Sequence, residues 1–372
     1  MLLLGVEMRD FRTYARAQAR LGAGLTVVHG PNGAGKSNLL EAVYFGCTGR
    51  SPRTRSDREL VRFGCSAARV EVALEDEGRE HTLTVGYSAP APGQPAQKRM
   101  SCDGAPVERL LDVAVRPLIS VFLPERLELL KGPPALRRAH LDQFVAALWP
   151  GRAETRRQYS RVLAQRNALL ARIRAGSNAR SALGTWDREL AGAALALRAD
   201  RAEAVAFLAG AFPEKGGQLG LSGTLTLEYR ARSDARDVET FVAELEARLD
   251  SDLDRGFSGH GPHRDELAIL RDGRELRVYG SQGEQRLALL ALLLAERAVL
   301  GAERGTMPLM LLDDVMSELD SSRRELLSGE LSSGGQSVIA TTDLGHVPGA
   351  AGSAVTRIAI APGSVLQEAA AA

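Results

Sequence analysis

Lysine is nearly absent from this 372-residue chain: Lys36, Lys98, Lys131 and Lys215 stand against 43 arginines. The skew reflects a coding preference rather than a function, but it draws attention to the four exceptions. Cysteine is also scarce. Cys47, Cys65 and Cys102 show no CxxC or metal-ligand spacing, which excludes a disulfide framework or zinc site and suits reduced thiols in a cytoplasmic protein. Aromatic residues make up 5%, and no aromatic-rich strand offers a stacking platform for single-stranded nucleic acid. The longest apolar run, Leu287 to Leu294, is too short to span a bilayer and is followed by Glu296 and Arg297. Met1 to Leu4 meets Glu7 and Arg9 without a positive n-region, so the start does not read as a secretory signal. A net charge of +1 excludes a polybasic chain, so any nucleic-acid site must come from local clustering.

One of the four lysines lies in His29-Gly30-Pro31-Asn32-Gly33-Ala34-Gly35-Lys36-Ser37. From Gly30 to Ser37 this fits the phosphate-loop pattern G-x-x-x-x-G-K-[ST]. Glycines let backbone N–H groups turn inward around phosphate oxygens. Lys36 would reach the β- and γ-phosphates, and the Ser37 hydroxyl would bind Mg²⁺. A compact ammonium fits there better than a planar guanidinium. Leu25 to Val28 reads as a short buried strand ahead of the loop. Ser37 to Val43, including Asn38, reads as a helix behind it, whose N-terminus favours an anion.

The length suggests two domains. Residues 1 to about 125 read as strands and turns with one strong helix, including a hairpin of Arg69–Leu74 with His81–Tyr87. Beyond about 135, Tyr159, Val162, Leu169 and Ile173, then Leu183, Trp186, Leu190, Ala193 and Leu197, fall at helical spacing, with Arg166 on the seam. A short antiparallel helical hairpin and a plain helical subdomain are both open at this point. Gly216 to Gly223 reads as a linker, Val238 to Leu253 as one helix, and Glu275 to Tyr279 as a strand after the turn Asp272-Gly273. Met307 to Leu312 and Gln336 to Thr341 are buried strands. The expected fold is α/β: a phosphate-loop NTPase body from 1–130 and 256–372, with a mostly helical second lobe, 131–255, inserted.

The strand Pro308 to Leu312 ends in Asp313-Asp314. Beside a phosphate loop, Asp313 would hold the metal through water and Asp314 could orient an attacking water. Tyr279 to Arg286 places a Ser281-Gln282-Gly283 turn at a helix start, a second anion site or simply a capped helix. This turn resembles the signature loop of ATPases with heads of the ATP-binding-cassette type. In that superfamily the loop completes the partner subunit's nucleotide site, which implies an ATP-dependent dimer. Ser317 to Asp320 resembles the D-loop of such heads. Thr342 stands where many carry a switch histidine, and Glu125 is the candidate for their glutamine-loop position.

Further stretches narrow the resemblance. They are Phe11-Arg12-Thr13-Tyr14, Asn32 to Ala42, Phe122 to Leu127, Lys131 to Asp142, Gly261 to Leu267, Tyr279 to Arg286 and Leu311 to Asp320. Together they resemble the RecF family of bacterial DNA-repair proteins, from residue 1 to about 345. The resemblance implies a relative of Rad50 and SMC heads: a weak, DNA-stimulated ATPase that uses ATP and Mg²⁺. It implies dimerisation on ATP, binding of double-stranded DNA near single-strand gaps and, with RecR and RecO, help in loading RecA. It also makes Arg12 an adenine or phosphate contact.

Two arginine clusters are candidates for DNA contact. One includes Arg53, Arg55 and Arg58; the other includes Arg137, Arg138, Arg156, Arg157 and Arg161. A solvated face in an arginine-biased chain explains either cluster equally well. Alternatives are a transporter ATPase subunit, a small SMC-type structural ATPase and a small-molecule kinase. The helical insert between phosphate and signature loops argues against the first, the shortness of any coiled coil against the second, and the Ser-Gln-Gly turn against the third.

Overall fold

The computed structural model describes residues 1–367, apart from the side chains of Glu125 and Ala179. Glu125, the glutamine-loop candidate, thus lies outside the described residues. Strands β1 (Leu2–Phe11), β2 (Tyr14–Arg20), β4 (Ala67–Asp76), β5 (Arg79–Ser88), β6 (Gln97–Cys102) and β7 (Ala105–Val107) form an antiparallel sheet in the order β2-β1-β4-β5-β6-β7. Its alternating residues bury Val70, Val72, Leu74, Leu83 and Val85 on one face and leave the other to solvent. The turns Glu77-Gly78 and Asp103-Gly104 have positive φ at both residues, the twist that two-residue hairpins require.

A second sheet holds β3 (Leu25–His29), β8 (Ile119–Phe122), β12 (Leu309–Asp313), β13 (Ser337–Thr341), β14 (Thr356–Ala361) and β15 (Ser364–Gln367), in the order β15-β14-β3-β13-β12-β8. All pairings are parallel except β14 with β15. Every residue of β12 and β13 is buried, as expected of continuous apolar strands covered on both faces. Helix α1 (Lys36–Thr48) shares one core with both sheets through Leu39, Leu40, Val43 and Phe45. It lies close on the antiparallel sheet: a Cβ on Gly46 would stand 2.2 Å from Val72 Cγ2. These elements form one unit, Met1–Arg126 with Arg304–Ala372.

The other unit, Leu127–Glu303, is mostly helical. Helices Ala153–Arg174 and Leu183–Gln218 pack against each other as a hairpin, one of the two arrangements left open by the sequence, accompanied by a three-stranded sheet of β9 (Leu225–Arg230), β10 (Glu266–Arg271) and β11 (Arg274–Glu275). Arg166, on the seam, is fully buried: it donates to Asp187 at 2.6 Å, Asp252 at 2.9 Å and Ser258 at 2.7 Å.

Three local expectations change. Gly216-Gly217 is helical rather than linker, lying in the last turn of Leu183–Gln218, and the missing side chain at Gly216 admits strand β9, with Leu225 Cδ1 2.0 Å from where a Cβ would be. Val238 to Leu253 is two helices, Val238–Glu246 and Leu249–Arg255, broken where Arg248 turns back onto the Glu244 carbonyl at 2.8 Å. Leu276–Tyr279 is a helical turn, not a strand, its carbonyls held by the Gln285 amide, which donates to Leu276 O at 2.9 Å. The return boundary also moves. The sequence reading rejoined the ATPase body at 256, whereas the second unit runs on to Glu303, carried by β10 pairing with β9 along its length.

Candidate functional site

The phosphate loop leaves β3 at His29. Gly30 has φ 150°, and a Cβ there would stand 2.3 Å from Ile360 O, so no other residue fits between the loop and β14. Gly35 has φ 122°, and a Cβ would meet the Tyr14 hydroxyl at 2.7 Å; that hydroxyl donates to Gly35 O at 3.0 Å. Pro31, Asn32 and Gly33 are exposed and Ala34 is buried, so the loop is anchored at its ends and open at its crest. Lys36 curls beneath it, donating from Nζ to Gly30 O at 2.8 Å and Pro31 O at 3.0 Å. Burial lowers the Lys36 pKa, while the nearby Asp314 and Asp313 carboxylates oppose that shift. Ser37 follows, half-buried in the first turn of α1.

Sheet register brings the second half of the site to the same edge. Thr341 pairs with His29, and Ala340 with Asp313, so the loop and both aspartates lie at the carboxyl ends of parallel strands. Asp313 is buried. Asp314 adopts φ 50°, donates its N–H to Ala340 O at 3.0 Å, and leaves Oδ1 buried with no hydrogen-bond partner among the described residues. Asp320 caps the helix Ser321–Ser332 by accepting from Arg323 N at 2.9 Å. Thr342 is half-buried just beyond β13. A glycine cradle, a buried ammonium and a carboxylate oxygen lacking a partner suit a triphosphate with a divalent cation. Gly30 to Lys36 would hold the phosphates, and Ser37 with Asp313 the metal.

Sequence reasoning missed Glu41. Its side chain is fully buried on α1, where it accepts from Arg12 at 2.8 and 2.7 Å, from Ser51 Oγ at 2.6 Å and from Arg53 at 3.3 Å. The legible signal was a carboxylate inside an apolar helical run. Arg12 also donates to Glu59 O at 2.8 Å, and Arg53 to Asn38 Oδ1 at 3.1 Å. Arg53 therefore belongs to the surroundings of α1 rather than to a free basic face.

In the other unit, Ser281 is the cap of helix Gln282–Arg304. Its Oγ accepts from Glu284 N at 3.3 Å while Glu284 Oε2 accepts from Ser281 N at 2.8 Å, a reciprocal capping box. Ser281, Gln282 and Gly283 are all exposed.

The arginine candidates divide. Arg137 is buried, forked onto Glu266 at 2.7 and 3.0 Å, and donates to the carbonyls of Leu129, Leu130 and Gly132. Its donors are consumed internally, so it is a packing residue and not a phosphate contact. Arg138 donates to Asp265 O at 2.8 Å. Arg156 pairs with Asp142 at 3.0 Å, and Arg157 and Arg161 share Glu154 at 2.8 and 2.6 Å; these three keep exposed faces. Arg55 and Arg58 are exposed.

Residues 2–358 match the family described as RecF/RecN/SMC N terminal domain. The DNA replication and repair protein RecF of Roseiflexus castenholzii is 35% identical over 92% of this chain and 93% of its own length. The protein of that name from Chloroflexus aurantiacus is 37% identical over 96% of this chain and 97% of its own. A solved structure of the recombination mediator protein RecF-ATP in the RecFOR pathway superposes with a TM-score of 0.85 at 28% identity, covering 99% of this chain and 98% of that one. With its phosphate loop and paired aspartates on one sheet edge, the chain belongs to the RecF family.

Proposed function

We propose that this protein is an ATP-dependent DNA-binding protein of recombinational repair and replication restart. The observation that carries the reading is the shared sheet edge of Lys36, Asp313 and Asp314, together with the partnerless Asp314 oxygen. Bound ATP with Mg²⁺ supplies a triphosphate whose charge the phosphate loop neutralises. Lys36, now on the carbonyls of Gly30 and Pro31, would turn to it, Ser37 with Asp313 would hold the cation, and Asp314 would be placed to orient water. Ser281, Gln282 and Gly283 are exposed at a helix start, which leaves them free to complete the site of a second copy. The protein dimerises on ATP, binds double-stranded DNA near single-strand gaps, and works in the cytoplasm with RecR and RecO to load RecA. Its ATPase is weak and DNA-stimulated, and hydrolysis resets the dimer. Among the described residues no helix is long and apolar enough to cross a membrane.

Light scattering with and without ATP, Mg²⁺ and gapped DNA tests this on wild type, Lys36→Arg, Ser281→Arg and Asp314→Asn. Wild type forms dimers on ATP. Lys36→Arg and Ser281→Arg remain monomers. Asp314→Asn dimerises but hydrolyses ATP roughly 100-fold more slowly or worse. A wild-type chain that stays monomeric with ATP and DNA overturns the reading.

A further inference from the structure

Register aligns four arginines across the solvent face of the antiparallel sheet. Arg16 on β2 pairs with Arg9 on β1, Arg9 with Arg69 on β4, Arg69 with Gly86 on β5, and Gly86 with Arg99 on β6. Residues directly opposite point to the same face, so the four side chains form one row, interrupted only by the glycine. All four are exposed. Like charges set directly opposite one another weaken a sheet. Two carboxylates relieve the row in part: Glu7 lies 3.2 Å from Arg9 and 3.5 Å from Arg16, and Glu71 lies 2.7 Å from Arg69. Among the described residues Arg99 is matched only by the neutral Gln97 amide, whose oxygen accepts from it at 3.0 Å. The adjacent row on this face runs Gln18, Glu7, Glu71, Thr84 and Ser101, so its acids sit at the β1–β4 end, and Arg9, Arg69 and Arg99 border a shallow depression of about 360 Å³ on the other side, lined also by Ser88 and Gln97.

One lining residue, Asp10, anchors a turn that carries an exposed aromatic ring. Asp10 lines the depression together with Arg9, Arg69 and Arg99. Asp10 also clamps the turn Arg62-Phe63-Gly64-Cys65: its carbonyl accepts from Arg62 N at 2.8 Å, and its carboxylate from Arg62 Nε at 2.8 Å and Cys65 Sγ at 3.2 Å. Cys65 N closes the turn on Arg62 O at 3.0 Å, with Gly64 at φ 83°. At its tip Phe63 is 101% exposed, while Phe11 and Phe45 of the same unit are fully buried. A clamped turn that holds a large apolar ring wholly in water forgoes the burial that ordinarily fixes such a side chain.

We infer that this face is the site where the protein reads a duplex–single-strand junction: the arginine row takes the phosphates of the duplex arm, and Phe63 stacks on the first unpaired base. Five strands at about 4.8 Å spacing give the row a span of about 19 Å, the axial rise of roughly five phosphates on one strand of a duplex. Stacking tolerates any base, because each presents a π-face, so the junction is recognised by shape and not by sequence. The assignment rests on the DNA-binding reading above and names its surface. It places stacking on a single ring in a turn, where the sequence reading looks for an aromatic-rich strand.

The test is fluorescence anisotropy on gapped DNA and on blunt duplex, with ATP and Mg²⁺, from 50 to 200 mM salt on the order set by counterion release. The proteins are wild type, Arg9→Ala/Arg69→Ala/Arg99→Ala, and Phe63→Ala. The triple variant is expected to bind both DNAs more weakly, its log-affinity against log-salt slope shallower by about 3. Phe63→Ala is expected to bind gapped DNA roughly 5- to 150-fold more weakly with blunt duplex unchanged, and to lose the quenching of 2-aminopurine placed at the first unpaired position. ATP-driven dimerisation and ATPase without DNA stay at wild-type levels in both, as neither change touches the nucleotide site. An unchanged slope, an equal loss on both DNAs, or a Phe63→Ala chain that no longer dimerises (a contact between copies) overturns the proposal. If wild type binds and the variants bind alike, only this surface falls; if wild type binds neither DNA, the DNA reading falls with it.

Discussion

Arg12 grips Glu41 through two parallel hydrogen bonds, Nε to Oε2 at 2.8 Å and Nη2 to Oε1 at 2.7 Å, and the carboxylate they hold is fully buried on the phosphate-loop helix. Arg53 reaches the same Glu41 oxygen from the opposite loop at 3.3 Å. Two arginines selected from sequence for different tasks thus converge on one acid.

Truncating them has unequal consequences. Arg12→Ala leaves a buried carboxylate short of its bidentate partner and costs about 3 kcal/mol, which lowers the unfolding temperature by roughly 6–12 °C. Arg53 is more exposed and its contact longer, so Arg53→Ala costs about 1 kcal/mol or less. Neither variant alters the salt slope of DNA binding. Thermal unfolding and a salt titration measure both effects, and a slope reduced by Arg53→Ala would return that residue to the DNA surface.

The seam of the helical hairpin makes a second prediction. Arg166→Ala strands Asp187 and Asp252, both buried, without their shared cation. The expected loss is about 3–5 kcal/mol in urea unfolding of the helical unit. Arg157→Ala on the same helix removes only an exposed pair with Glu154 and costs under about 1 kcal/mol. Equal losses in the two variants would contradict the assigned role of the seam.

The arginine candidates also mark what was legible in the sequence. Gly30 to Ser37 and Asp313-Asp314 could be read because each motif is local and sits at the end of an apolar run. Arg137 could not, because the acid that buries it, Glu266, lies 129 residues away. The same holds for the unit boundary: β10 pairs with β9 across the whole Val238–Arg255 stretch, a contact no local pattern announces. The arginine row was invisible for a related reason. Its members come from four strands and meet only through register, while Phe63 reads locally as an ordinary apolar residue before a strand.

His263 gives the third prediction, a pH dependence. The Ser258 carbonyl can only accept, so His263 Nε2 carries the proton in their 3.0 Å contact, and Nδ1 accepts from the Tyr159 hydroxyl at 2.6 Å. Burial, aided by the charges of Arg264 and Arg138, lowers the His263 pKa below its ordinary 6.5. Protonation would turn Nδ1 into a donor facing Tyr159. A lowered folded-state pKa means that the unfolded chain binds the proton more readily. The stabilisation is therefore full above about pH 6.5 and is lost as pH falls through the lower folded value. Urea midpoints from pH 8 to pH 5 should fall for wild type and fall less for His263→Gln. Parallel curves would remove His263 as the cause.

The strand that carries the phosphate loop lies between β13 and β14, which are built from residues 337–361, while β3 itself ends at residue 29. During synthesis β3 emerges early and waits, unpaired on both edges, while the contiguous helical unit is made and can fold. The nucleotide site is therefore among the last parts of the molecule to assemble. A chain interrupted between residues 48 and 337 has its glycine loop and Lys36 but neither of the strands that flank β3. Such a fragment should neither bind ATP nor compete with finished copies for a partner.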